Sequence, residues 1–113
     1  MIYLASPYDD PDENVRETRY LDACKACAML TKRQLVVYSP IVHWHMVAKF
    51  YKLPKGHEYW KFHDRHMILL GESFWILKLN GWQESVGIHK ERLFAKSHHR
   101  PVRYITLEEC SKI

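Results

Sequence analysis

Asp64, Glu72 and Glu91 are the carboxylates closest to the third apolar, strand-like run of the chain and its flanking helices. Taken singly, each reads as a solvated helix residue. The run from Gly81 to Ala95 gives Glu91 a different context. Gly81-Trp82 lets the chain turn sharply at the end of the strand. Ser85 and Gly87 then open a helix, whose free backbone N–H groups favour an anion such as phosphate. Glu91 lies a turn further in, able to point back toward the same crevice. An ionisable carboxyl group is thereby set beside a place for a small anion.

Other motifs carry less. Cys24-x-x-Cys27 falls in the middle of a helix rather than at its start, where the dipole would lower a thiol pKa, so buried and inert cysteines are expected. No second cluster of ligands supports a zinc site with His43 and His45, and no metal is expected. Most of the eight histidines read as surface or capping residues. His43 differs because it follows Ser39-Pro40 at the end of a strand, which leaves a binding role and a structural role both open. The chain has no GxxxxGK[ST] loop, no GxGxxG fingerprint and no GxSxG elbow, and holds only four glycines. A nucleoside triphosphatase, an ordinary dinucleotide dehydrogenase and an α/β-hydrolase are therefore set aside, and no cofactor is implied.

The elements that must position these residues alternate. Ile2 to Ala5 reads as a buried strand, broken by Ser6-Pro7-Tyr8-Asp9. Asp10-Pro11-Asp12-Glu13 starts a helix, with Asp10 as the capping acid and Pro11 in the first turn. That helix runs to about Lys32 with Tyr20, Ala23, Cys24, Cys27 and Leu30 on one face. Leu35 to Tyr38 is a second strand, ended by a Ser39-Pro40 loop. A short helix over about 44–51, an excursion through Pro54-Lys55-Gly56 and a helix over about 59–71 follow, the last with Trp60, Phe62, Met67 and Leu70 inward. Phe74 to Leu79 is the third strand. The helix opened by Ser85 continues through Ala95 and stops at His98-His99-Arg100-Pro101. Val102 to Ile105 is the fourth strand, and Leu107-Glu108-Glu109 makes a short helical turn.

Strands alternating with helices are the signature of βαβ units. The expected fold is a small flavodoxin-like, or Rossmann-like, three-layer α/β sandwich with a mostly parallel sheet of four or five strands. Ligands of such sheets bind outside the carboxyl ends of the strands, at the switch point. The loops over 5–9, 39–45 and 80–87 are the places to watch.

With 113 residues, 47% hydrophobic and 27% charged, the chain has the composition of one globular domain over 1–113. It has no apolar run long enough to span a membrane and no basic leader, so neither a transmembrane helix nor a signal peptide is expected. Lys and Arg number 17 against 13 acids, a net +4 dispersed along the chain, which is unlike a footprint for polymeric nucleic acid. The three cysteines are an odd set and fit a reducing, cytoplasmic setting.

Four stretches together resemble a known family. They are Ile2-Tyr3-Leu4-Ala5-Ser6-Pro7-Tyr8; Val15-Arg16 with Arg19; Ser39-Pro40-Ile41-x-His43; and Gly81-Trp82-x-x-Ser85-x-Gly87-x-x-x-Glu91-x-x-x-Ala95. Spread over about residues 2–105, they resemble the nucleoside 2-deoxyribosyltransferase-like family. The likeness is to its short bacterial and phage branch, related to the 2′-deoxynucleoside 5′-monophosphate N-glycosidases. The resemblance implies a flavodoxin-like fold and cleavage or transfer at an N-glycosidic bond, without a cofactor. It makes Glu91 the nucleophile that attacks C1′, Asp64 the acid that protonates or orients the departing base, and Tyr3 the residue that positions the nucleophile. Ser85 stands where the nucleoside-using transferases carry Asp, and a hydroxyl there implies a 5′-phosphate. Gly87, Ser6, Arg16, Arg19, His43 and Trp82 complete the implied substrate- and phosphate-binding set, with Arg16 or Arg19 as countercharge. The implied partner is a small nucleoside or nucleotide, and family sites completed by a neighbouring subunit imply a homo-oligomer. Trp44, Phe50, Tyr51, Tyr59 and Trp60 are the aromatic candidates for its interface. The alternative from another class is a non-catalytic module that binds a nucleotide or ADP-ribose on the same fold.

Overall fold

The computed structural model describes all 113 residues. Ten elements follow in order: β1 (Ile2–Ala5), α1 (Glu13–Lys32), β2 (Val37–Tyr38), α2 (Pro40–Tyr51), α3 (His57–Leu70), β3 (Ser73–Leu77), a 3-10 turn (Trp82–Glu84), α4 (Val86–Ser97), β4 (Val102–Ile105) and α5 (Leu107–Cys110). The four strands form one all-parallel sheet in the order β2-β1-β3-β4. This is a small flavodoxin-like three-layer sandwich, with the strand order reversing between β1 and β3.

The two-residue period of the strands divides the core. Leu4, Trp75, Leu77 and Ile105 face one side, packing with Ala26 and Leu30 of α1 and Cys110 of α5. Tyr3, Ala5, Phe74 and Ile76 face the other, packing with Ile68 of α3 and with Ile88 and Ala95 of α4. In register, Tyr3 of β1 sits beside Phe74 of β3, with the rings stacked 5.5 Å apart. β1 ends at Ala5, opposite Ile76, and β3 runs one residue further to Leu77; the loop that leaves β1 lines a cleft. No helix is long and apolar enough to cross a membrane.

Several boundaries differ from the sequence-based expectation. The cap of α1 is Asp12, which accepts from the Asn14 N–H; Asp10 instead accepts from the Asp12 N–H one turn earlier. α1 buries Ala23, Ala26 and Leu30, leaving Cys24 and Cys27 half-buried. Ser39-Pro40 is not a loop. The Ser39 hydroxyl oxygen accepts from the Val42 N–H and Pro40 occupies the first turn, so α2 begins directly after β2; this is the Ser cap followed by Pro at N1 that favours helix initiation. In α3 the inward positions are Asp64 and Ile68, while Phe62 and Leu70 are 74% and 61% exposed.

Candidate active site

Glu91 reaches the floor of the cleft because α4 is anchored by apolar residues on either side of it. Ile88, Glu91 and Ala95 follow the three-to-four-residue spacing of one helix face, and all three are buried. That face packs on β1, where the fully buried Tyr3 hydroxyl donates to Glu91 Oε2 at 2.8 Å. Asp64 enters from α3 by the same logic, held inward by Ile68 one turn on. Its Oδ1 is buried without a hydrogen-bond partner, 3.8 Å from His63 Nδ1. One strand, β1, and two helices, α3 and α4, therefore bring Tyr3, Asp64 and Glu91 together.

Burial of two carboxyl groups side by side raises the proton affinity of both. Glu91 is held well above the usual carboxylate range, first by burial and then by the Asp64 charge; the Tyr3 hydrogen bond opposes this by favouring the carboxylate. Asp64 is raised by burial, and a hydrogen bond from Glu91 offsets part of that rise. Burial and the two carboxyl groups push Tyr3 far above the ordinary phenol value, so it remains a donor. Two carboxyl groups whose proton affinities rise together titrate as a pair, an arrangement in which one proton can be shared between them.

The cleft has a volume of about 880 Å³, within the range of small-molecule sites. Its walls come from the loop after β1 (Ser6, Tyr8, Asp9), from α2 (Trp44, His45), from α3 and the segment before it (Gly56, His57, Trp60), and from the start of α4. Ser85 caps α4, its hydroxyl oxygen accepting from the Ile88 N–H at 3.2 Å. Gly87 is half-buried in the first turn of α4. A Cβ there would meet nothing nearer than Ser85 Oγ at 3.9 Å, so packing within the chain does not require glycine and the helix start is left bare toward the cleft. Arg16 lines the same space and donates to the Asp10 carbonyl. Ser6 Oγ and Trp44 Nε1 are buried without partners on the cleft wall.

Of the residues expected at the site, Glu91, Asp64, Ser85, Gly87, Ser6 and Arg16 line the cleft, and Tyr3 touches it through Glu91. Three lie elsewhere. His43 is exposed on α2, its ring against Tyr38 and Trp44, and it is not among the residues that line the cleft. Trp82 packs on Tyr104, with ring centroids 5.6 Å apart. Arg19 lies in a smaller depression that shares Asp9, Glu84 and Ser85 with the cleft; it donates to the Tyr8, Asp9 and Asn80 carbonyls and ties the loop after β1 to the loop after β3. Glu72 is exposed and pairs with the chain's amino group at 3.5 Å.

His45, which sequence reasoning passed over in favour of His43, is buried in the cleft wall between Tyr8 and Glu17. Two positions from His43 on a helix, it projects from a different face.

A family model described as a domain of unknown function (DUF1937) matches residues 1–107. No curated protein matches the chain.

Proposed function

The chain belongs to the DUF1937 family, and we propose that it cleaves the N-glycosidic bond of a 2′-deoxynucleoside 5′-monophosphate, with water as acceptor. The observation that carries this reading is the buried acid pair, one member of which accepts from Tyr3, at the floor of a cleft beyond the strand ends. One carboxylate to attack and one carboxylic acid to protonate the leaving group is the equipment of a retaining glycosidase. The likeness of the Tyr3, Ser85 and Glu91 segments to nucleoside 2-deoxyribosyltransferase-like proteins supplies the substrate class.

The steps follow from the shared proton. When it resides on Asp64, Glu91 is a carboxylate steadied by the Tyr3 hydroxyl. A Glu91 oxygen attacks C1′ as the C1′–N bond breaks; the bond's electron pair goes to the base nitrogen, which takes the Asp64 proton. Water then attacks C1′ of the glycosyl ester, its proton goes to Asp64, and Glu91 departs as carboxylate. Ser85 and the bare N–H groups at the start of α4 suit the 5′-phosphate, with Arg16 as a countercharge lining the same cleft.

Three further parts of the reading have narrower support. The free thiols Cys24, Cys27 and Cys110 suit a reducing compartment such as the cytoplasm. Self-association is supported by the apolar stripe Met46, Val47, Phe50 and Tyr51 on the exposed face of α2; Trp44 and Trp60 line the cleft instead. A binding module that retains nucleotide or ADP-ribose without cleaving it is favoured by the burial of Glu91, which raises its proton affinity and works against the carboxylate needed for attack.

Chromatography of a deoxynucleotide panel after incubation tests the reading. Free base from monophosphates, lost in Glu91→Ala, is expected. Ligand-dependent thermal stabilisation with no free base would move the assignment to the binding module. Faster cleavage of free nucleosides would remove the phosphate from it.

A further inference from the structure

A second buried polar assembly stands in the cleft wall, apart from the acid pair. His45 is 5% exposed and stacks on Tyr20, with ring centroids 4.1 Å apart. Its Nε2 lies 2.8 Å from Glu17 Oε2 and its Nδ1 lies 2.6 Å from the Tyr8 hydroxyl. Glu17 also has Lys49 Nζ at 3.7 Å. The Tyr8 hydroxyl is thus the inner end of a chain that begins at the surface with Lys49 and Glu17.

The first member of this chain is its anchor. The His45 hydrogen bond holds the Glu17 carboxyl below the usual range, with Lys49 acting in the same direction. Glu17 is therefore a carboxylate and can only accept, so His45 Nε2 carries a hydrogen and donates to it. Nδ1 shares the next hydrogen bond with the Tyr8 hydroxyl. The Tyr8 oxygen is thus held in place by two hydrogen bonds and a stacked ring, with hydrogen-bonding capacity left over for a hydroxyl on the ligand.

We propose that Glu17, His45 and Tyr8 act as one unit that presents the Tyr8 oxygen to the 3′-hydroxyl of the substrate sugar, making Tyr8 a specificity-determining residue. This deepens the N-glycosidase reading and rests on it. A 2′-deoxynucleoside 5′-monophosphate has one free sugar hydroxyl: the 2′ position has none and the 5′ oxygen is esterified. With the phosphate at the start of α4 and the departing base on the Asp64 side, the loop after β1, which carries Ser6 and Tyr8, is a polar wall of the cleft left to meet the sugar. Ser6 Oγ, buried there without a partner, is a second group able to meet the same hydroxyl. Glu17 and His45 act only through Tyr8 and are positioning residues.

The test pairs a variant with a missing substrate group. Steady-state rates are measured for the wild type and Tyr8→Phe on a 2′-deoxynucleoside 5′-monophosphate and on its 2′,3′-dideoxy analogue. The expected result is a fall of about 10- to 100-fold in kcat/KM for Tyr8→Phe on the deoxy substrate, and a change within about twofold on the dideoxy analogue. Glu17→Gln is expected to give a smaller loss with the same dependence on the 3′-hydroxyl, which a purely structural role would not produce. An equal loss on both substrates, or no loss on either, overturns the proposal while leaving base cleavage in place. If the wild type releases no base, the same four combinations are read by ligand-induced thermal shift. A shift that Tyr8→Phe reduces only for the deoxy compound sustains the Tyr8 assignment and overturns the catalytic reading alone; any other pattern, including no binding, overturns the Tyr8 assignment.

Discussion

Replacing Glu91 by Gln isolates the proton that the acid pair shares. A carboxyl group whose native pKa lies above its unfolded value keeps a proton that the unfolded chain has already lost. Native stability therefore falls as pH rises from the ordinary value of 4.5 through the native one, and the deficit persists above it. Each pH unit across that interval costs about 1.4 kcal/mol, on the order of 6 °C in Tm for a domain of this size. Asp64 is displaced in the same direction, so its deficit adds with the same sign. Glutamine reproduces the protonated form: its carbonyl oxygen can accept from Tyr3 and its amide can donate to Asp64. Glu91→Gln is therefore expected to melt above the wild type at about pH 8, with the gap closing toward about pH 4.5, and to release no base. Melting curves across this range, with chromatography of the same samples, make the comparison. A variant that melts below the wild type at the alkaline end, or a gap independent of pH, refutes the shared proton.

Other substitutions probe the same frame from different sides. Tyr3→Phe removes the 2.8 Å donor to Glu91, worth about 1.5–3 kcal/mol to a carboxylate. The expected loss in kcat/KM is about 10- to 100-fold, and the acid limb of the pH profile moves upward because Glu91 then holds its proton more tightly; an unmoved limb contradicts this. Ser85→Ala removes the α4 cap and is expected to lower stability by about 1 kcal/mol in a urea titration. It should also reduce the preference for monophosphate over nucleoside, and an unchanged preference would separate Ser85 from the phosphate. Gly81→Ala places a side chain on a backbone with φ of 90° and its Cβ at 2.5 Å from Arg19 Nη2. A loss of about 1–3 kcal/mol is expected, with the loop brace broken; a neutral result in the same titration would show that the brace is dispensable.

The strands, α1 and α4 were legible from apolar runs bounded by Ser, Pro, Gly and acidic caps, although β2 is Val37–Tyr38 rather than 35–38 and β3 is Ser73–Leu77 rather than 74–79. Glu91 was reached from the 81–87 segment that opens α4, and the structure adds that Ile88 and Ala95 flank it at helical spacing, a polar residue on a buried apolar stripe. Asp64 and Ile68 carry the same signal in α3, but Phe62 and Leu70 obscured it by offering a more apolar face that the structure leaves exposed. The face of α2 was hidden for a related reason. Its exposed side is apolar while its one buried residue is His45, the reverse of the usual amphipathic rule. What buries His45 is a chain of hydrogen bonds to Tyr8 and Glu17, residues 37 and 28 positions away, and no local pattern encodes that. The bracing role of Arg19 was hidden in the same way, because the carbonyls it meets belong to two separate loops.

The central claim is that Glu91 attacks C1′ and is then displaced. Two displacements at one carbon restore the starting configuration. A β-configured deoxynucleoside 5′-monophosphate incubated in buffered aqueous methanol should thus yield free base and the β-methyl glycoside of 2-deoxyribose 5-phosphate by proton NMR, and Glu91→Gln should yield neither. The α-methyl glycoside, or base release that survives the loss of Glu91, would contradict the assignment.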